Sequence, residues 1–254
     1  FDFFQLARDV AASVEFLRSQ PEIHGDRIGL SGYSQGAWVA PLAATKTQIC
    51  FVLVSYGMIE SPAQEARLEM LHLLENDGVS GQSMREADSL VTAAVTVVAS
   101  EFKDGWDEFS VLKNRHKDAP WRRNLEGTPV DQLMSYPKWL VKVLGPRKLP
   151  KDLPWFYDSS TLLDTLDVPM TWFLGDQDES APNELTIPKL QALSSLGMPY
   201  DLLIFSGADH GMLMFREEEG NRIYTGYSPG YFRAEVAAAL KWIAEADTAR
   251  ADLP

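Results

Sequence analysis

The sequence predicts an α/β fold, with a mostly parallel sheet flanked by helices and interrupted by a helical insertion. Residues 49–55 are apolar without alternation, which is typical of a parallel strand covered on both faces. Further apolar runs of strand length lie at 168–174 and 200–205. Segments with helical spacing alternate with these runs, as expected of βαβ units.

The first helix is predicted over residues 3–18, where apolar side chains recur at helical spacing. Asp2 and Gln5 are placed as an N-cap pair for this helix. Pro21 and Gly25 end it, and a strand follows after a short loop.

Residues 26–44 read DRIGLSGYSQGAWVAPLAA and predict a strand, a tight turn and a helix. Ser34 lies in the turn, where a serine is held in a strained backbone conformation with its hydroxyl exposed above the carboxyl end of the strand. Gly32 and Gly36 are expected to make room for the close approach of strand and helix. Because a G-x-S-x-G pattern also arises in ordinary Gly/Ser turns, its place between strand and helix is what favours a nucleophile.

Residues 58–168 predict a helical cap, inserted between the core segments 1–57 and 169–254 and lying over the catalytic end of the sheet. Capping boxes open helices at Ser61 and Ser83. Further helices are predicted near residues 106–115 and 130–144. Four of the seven tryptophans lie in the insertion, and together they favour an apolar pocket although each alone is as well explained as core. They are Trp106, Trp121, Trp139 and Trp155.

A serine nucleophile needs a general base, and imidazole suits that task near neutral pH. The chain has four histidines. His24 enters the amino end of the Ser34 strand, and His72 and His116 are expected to be solvated residues of the insertion. His210 follows the strand over 200–205, at the same carboxyl edge as Ser34, and is therefore the candidate base.

The base needs a carboxylate that orients its second ring nitrogen. Asp176, Asp178 and Glu179 all follow the strand over 168–174. From the residues alone, either Asp176 or Asp178 could be presented to the histidine. Asp209, beside His210, is expected to be a solvated turn residue.

The run DRIGLSGYSQGAW resembles the nucleophile region of the α/β-hydrolase superfamily, and most closely that of bacterial serine hydrolases of the esterase, thioesterase and S9/S33-peptidase type. The resemblance implies the chain order Ser34, Asp178, His210 for a catalytic triad. Asp178 is the implied acid because Gly175, Asp178 and Pro182 fill the pattern G-x-x-D-x-x-x-P. The backbone N–H of Gln35 is the implied first oxyanion-hole donor.

The same resemblance implies an α/β-hydrolase-type sheet with about four strands before the first helix, and this sequence begins at that helix. We therefore expect the N-terminal part of the sheet and the second oxyanion donor to lie upstream, or in a partner chain that completes the sheet. A homodimer is also compatible with the sequence.

Composition and net charge limit the classes of molecule that the protein is expected to bind. The net charge is −13 and the pI is about 4.7, which argues against nucleic acid and anionic membranes. The single cysteine, Cys50, permits no internal disulfide. No apolar run approaches a membrane span and no signal-peptide order is visible, so a soluble protein is expected, either cytoplasmic or secreted. No metal cluster or nucleotide motif is visible, and no cofactor is expected.

The sequence thus predicts a carboxylesterase-like serine hydrolase, which cleaves a small-molecule ester or thioester with an apolar acyl group through an acyl-enzyme on Ser34. Two alternatives stay open. One is an aminopeptidase or acylpeptidase with the same triad, and the other is a non-catalytic binding protein or inactive fragment of this fold.

Overall fold

The computed structural model describes residues 2–251, which divide into two compact units. Residues 2–60 and 158–251 form an α/β unit, and residues 61–157 form a helical unit. The boundaries therefore lie near, and not at, those predicted for the insertion. That the helical unit serves as a cap stays a prediction.

The predicted helices and strands are present, and the structure adds one short helix before the third strand and three strands near the C-terminus. The helices are α1 (Phe3–Arg18), α2 (Gly36–Ala44), α3 (Pro62–Asn76), α4 (Gly81–Ala99), α5 (Trp106–Arg115), α6 (Pro129–Ser135), α7 (Lys138–Leu144), α8 (Ser160–Leu163), α9 (Thr186–Ser195) and α10 (Tyr231–Ala251). The strands are β1 (Leu30–Tyr33), β2 (Val52–Ser55), β3 (Met170–Gly175), β4 (Tyr200–Phe205), β5 (Ala208–Asp209), β6 (Leu213–Glu218) and β7 (Asn221–Tyr227).

Within residues 2–251, a four-stranded parallel sheet has the order β1-β2-β3-β4. Every residue of β2 and β3 is buried. Because successive side chains point to opposite faces, Val52 and Val54 enter one core with α2, α8 and α9, whereas Leu53 enters another with α10. Helices thus cover both faces of the sheet, which confirms the predicted α/β class.

The strand and helix around Ser34 approach each other closely at Gly32. A Cβ atom there would lie 2.5 Å from the carbonyl oxygen of Gly36 and 3.1 Å from the Cβ of Ala40. The predicted need for space at Gly36 is wrong, because a Cβ there would meet no atom within 4 Å. Gly57, which the sequence did not single out, has the second role instead: its Cβ would lie 2.7 Å from the carbonyl oxygen of Ser34.

The helical unit has its own core, built from α3, α4, α5 and α6 with the 3₁₀ helix Pro120–Leu125. Trp106 and Trp121 are buried in this core, whereas Trp139 is 68% exposed. An apolar cavity of about 480 Å³ lies against Phe102 in the same unit. Trp155 lines an adjoining, smaller cavity of about 190 Å³, which shares lining residues such as Leu133 with the first.

The observed elements differ from the predicted ones at several places. The single helix expected over 130–144 is two helices, because Pro137 lacks an N–H and forces Tyr136 into an extended conformation. Helix α4 begins before its predicted capping box, with Ser80 as its N-cap residue. The antiparallel strands β6 and β7 were missed, since β7 is almost wholly exposed and carries no apolar alternation.

Among the helices of residues 2–251, none combines the length and the apolar character that a membrane crossing requires.

The packing at Gly32 leads to a stability prediction. Gly32→Ala should lower the free energy of unfolding by about 1–3 kcal/mol, because backbone atoms of α2 must move to accept the new methyl group. The matched control Gly36→Ala should stay within about 0.5 kcal/mol of the unsubstituted protein. Urea unfolding followed by circular dichroism measures both, and equal stabilities of the two variants would contradict the packing account.

Candidate active site

Ser34 lies directly after β1, in the turn that leads into α2. Its φ angle is +51°, in the left-handed region that non-glycine residues seldom adopt. Its backbone N–H donates to the carbonyl oxygen of Ser55 at 3.0 Å, which ties the turn to the end of β2. The predicted backbone strain at Ser34 is confirmed.

His210 and Asp178 meet Ser34 at the carboxyl edge of the sheet. The Nε2 atom of His210 lies 3.1 Å from the Oγ atom of Ser34. The Nδ1 atom of the same ring lies 3.0 Å and 3.2 Å from the two carboxylate oxygens of Asp178. The structure therefore brings together the three residues that the sequence singled out, in a serine–imidazole–carboxylate chain.

Asp178 is held by its own loop. Its side chain is fully buried, and its Oδ1 atom accepts hydrogen bonds from the N–H groups of Ser180 at 3.0 Å and Ala181 at 2.8 Å. A carboxylate held in this way orients the imidazole and stabilises it when it becomes protonated. Asp176, the other candidate, instead accepts from the N–H of Gly207 at 2.7 Å and joins two loops.

The other three histidines lie elsewhere, and His72 is half-buried on α3. His24 is exposed on the loop before β1. The expectation of a solvated His116 is wrong, because its side chain is 11% exposed, faces Glu86 at 3.6 Å and packs on Trp121. Within residues 2–251, no group of three or more His, Cys, Asp or Glu side chains is arranged to hold a metal ion.

Asp209 also differs from its expectation as a solvated turn residue, since it is only 4% exposed. Its carboxylate accepts hydrogen bonds from the N–H of His210 at 2.7 Å and from the Tyr224 hydroxyl at 2.9 Å. Arg222 pairs with it at 2.8 Å. Burial alone would raise the pKa of Asp209, but these bonds outweigh burial and hold the pKa below its usual value.

Ser55 and Tyr56, at the end of β2, support the site. No pattern in the sequence indicated them. Tyr56 has a φ of +42° and packs edge-on against the His210 ring, with the ring centres 5.1 Å apart. Burial raises the pKa of its phenol. Ser55 is held from α10, where the Tyr231 hydroxyl lies 2.9 Å from its Oγ and 2.8 Å from a Glu235 carboxylate oxygen.

In the part of the chain that the structure describes, the backbone around Ser34 leaves an N–H group without an acceptor at the start of α2. The N–H of Ser34 is used by Ser55, whereas that of Gln35 has no acceptor within residues 2–251. Gln35 precedes the first residue of α2, and N–H groups at a helix start are oriented to bind negative charge.

Comparison with known proteins matches residues 10–105 to the family model described as BAAT / Acyl-CoA thioester hydrolase C terminal. No curated protein sequence matches the chain. Similar solved structures include an esterase from Thermogutta terrifontis with bound malate, at 16% identity and a TM-score of 0.43, with coverage of 97% of this chain and 73% of the esterase.

Two further similar structures are an esterase from Pyrococcus furiosus and a puromycin hydrolase. The esterase is 14% identical with a TM-score of 0.43, and the hydrolase is 18% identical with a TM-score of 0.38. The matches cover 80% and 81% of this chain, but only 52% of the esterase and 22% of the hydrolase. The chain thus spans about half and about a fifth of these two proteins. The family match and the fold are consistent with a hydrolase of the α/β-hydrolase superfamily.

Proposed function

We propose that the protein is a serine hydrolase, which cleaves a carboxylic ester or thioester with an apolar acyl group through an acyl-enzyme on Ser34. The observation that carries the proposal is the hydrogen-bonded chain from Ser34 Oγ through the His210 ring to Asp178. A serine hydroxyl that lies on a strained, partly exposed turn and is bonded to an oriented imidazole is an activated nucleophile.

In the acylation step, the Oγ atom of Ser34 attacks the substrate carbonyl carbon while Nε2 of His210 takes its proton. The carbonyl oxygen becomes an oxyanion and accepts a hydrogen bond from the N–H of Gln35. One such donor contributes about 3 kcal/mol to the lowering of the barrier. Asp178 stabilises the imidazolium, which then protonates the departing alkoxide or thiolate.

Deacylation repeats these steps with water. His210 takes a proton from a water molecule, whose oxygen attacks the acyl carbon, and the collapse of the second tetrahedral intermediate returns the proton to Ser34. The product is a carboxylic acid. The His210 side chain is 30% exposed, so water can reach the base.

The family match to a thioester hydrolase region supports a thioester beside an ester substrate. An aminopeptidase or acylpeptidase would use the same steps with an amine as leaving group. Turnover of p-nitrophenyl esters, acyl thioesters and peptide anilides, compared on one preparation, separates these activities. A non-catalytic binding protein would turn over none of them.

Replacement of the proposed nucleophile tests the proposal directly. Ser34→Ala should lower kcat/KM for a short p-nitrophenyl ester by at least about 10⁴-fold and abolish labelling by a fluorophosphonate, since no oxygen remains to form the covalent bond. The exposed Ser31 of β1 offers a matched control, and Ser31→Ala should retain activity and labelling. Unchanged turnover by Ser34→Ala would refute the proposed function.

The roles of the two aspartates can be separated in the same assay. Asp178→Asn should lower kcat by about 10⁴-fold, because the amide no longer holds the imidazole in the required tautomer or stabilises its charge. Asp176→Asn removes a carboxylate of the same loop that is bonded to Gly207, and it should change kcat less than about tenfold. The reverse order of effects would move the acid to Asp176.

A further inference from the structure

We propose that Arg222 is a positioning residue, which holds the loop of Asp178 and the loop of His210 in one arrangement. This inference rests on the proposed function, because it assigns Arg222 a task in the same reaction. Arg222 lies on β7, in the hairpin outside the parallel sheet, and no motif in the sequence indicates it.

The guanidinium of Arg222 contacts both loops at once. Nη1 donates to the carbonyl oxygen of Gln177 at 2.9 Å, and Nη2 lies 2.6 Å from a Glu179 carboxylate oxygen. Gln177 and Glu179 flank Asp178 on either side. Nη1 also lies 2.8 Å from Oδ2 of Asp209, the residue that precedes His210. One side chain therefore connects the neighbours of the acid with the neighbour of the base.

Asp209 passes this restraint to His210. Its Oδ1 atom accepts from the N–H of His210 at 2.7 Å, while Oδ2 faces Arg222 and the Tyr224 hydroxyl. Two residues of β7, Arg222 and Tyr224, thus hold the Asp209 side chain. Since the donor and acceptor atoms of a general base must stay within hydrogen-bond reach, a shift of this backbone by about 1 Å would slow the reaction by about 100-fold.

The arrangement requires arginine and not merely a positive charge. A planar guanidinium presents donors in a fixed fork, whereas an ammonium group is a point charge on a flexible stem. The Arg222 side chain is 18% exposed and stacks over the Phe215 ring, with Cζ 4.1 Å from the ring centre. Packing on Phe215 holds the guanidinium plane in the orientation in which it contacts both loops.

Burial makes this contact stronger than an ordinary surface ion pair. The Asp209 side chain is 6% exposed, and removing one partner of a buried pair leaves an uncompensated charge. By contrast, Arg216 of β6 pairs with Glu218 on the surface, at 59% and 55% exposure. Arg216 therefore offers a matched control in the same hairpin.

The test compares Arg222→Met, Arg222→Lys and Arg216→Met with the unsubstituted protein. Methionine keeps an aliphatic stem on Phe215 but removes the charge and all donors. For each protein, we would measure kcat and KM with a short p-nitrophenyl ester and the rate of fluorophosphonate labelling of Ser34. Both rates are divided by the folded fraction, obtained from thermal unfolding followed by circular dichroism.

Arg222→Met should lower kcat and the labelling rate by about 10–100-fold per folded molecule, with KM changed less than about threefold. Arg222→Lys should fall between Arg222→Met and the unsubstituted protein, and Arg216→Met should equal the latter.

Two results would overturn the positioning role. One is an Arg222→Met protein whose rates per folded molecule are undiminished, and the other is a rise in KM without a fall in kcat. If the unsubstituted protein is not labelled at Ser34, the proposed function fails and this inference fails with it. Labelling that Ser34→Ala abolishes keeps the proposed function, whatever the Arg222 variants do.

Discussion

The left-handed backbone at Ser34 is the constraint on which the site depends. Such a conformation costs about 1–3 kcal/mol and persists only where the surroundings determine it. Here the N–H of Ser34 is bonded to the carbonyl group of Ser55, and glycines at 32 and 57 let α2 and the end of β2 approach the turn. The strain turns the hydroxyl away from the helix that follows and towards the carboxyl edge of the sheet, where an imidazole can reach it.

Parallel strands bring the other two groups to the same edge. The loops after β3 and β4 are neighbours because β3 and β4 are paired throughout, from Met170 with Tyr200 to Gly175 with Phe205. A backbone hydrogen bond from Gln177 to Ala208 continues this pairing beyond the strands. The carboxylate of Asp178 and the ring of His210 therefore meet over a short, well-determined distance, although 32 residues separate them in the chain.

The hairpin of β6 and β7 adds contacts to the site that the parallel sheet alone does not provide. Strands β6 and β7 lie outside the main sheet, and Arg222 of β7 forms a buried ion pair with Asp209 of β5, which compensates the charge of that desolvated carboxylate. The Tyr224 hydroxyl donates to the same Oδ2 atom that faces Arg222, and the His210 N–H donates to Oδ1, so both carboxylate oxygens of Asp209 are hydrogen-bonded. Tyr231 and Glu235 of α10 hold Ser55, whose carbonyl oxygen accepts the N–H of Ser34.

The amino-acid sequence by itself determined the α/β class, the turn at Ser34 and the position of His210 after a strand that ends at the same edge of the sheet. These features depend on local patterns, namely apolar runs, glycine spacing and the end of a strand. Its resemblance to a known superfamily singled out Asp178 from Asp176. Only the tertiary structure decided that Asp209 is buried, that Gly57 and not Gly36 makes room at the turn, and that Arg222 reaches two loops at once. These features arise from contacts between residues far apart in the chain. A strand as exposed as β7 also has no hydrophobic periodicity from which it could be predicted.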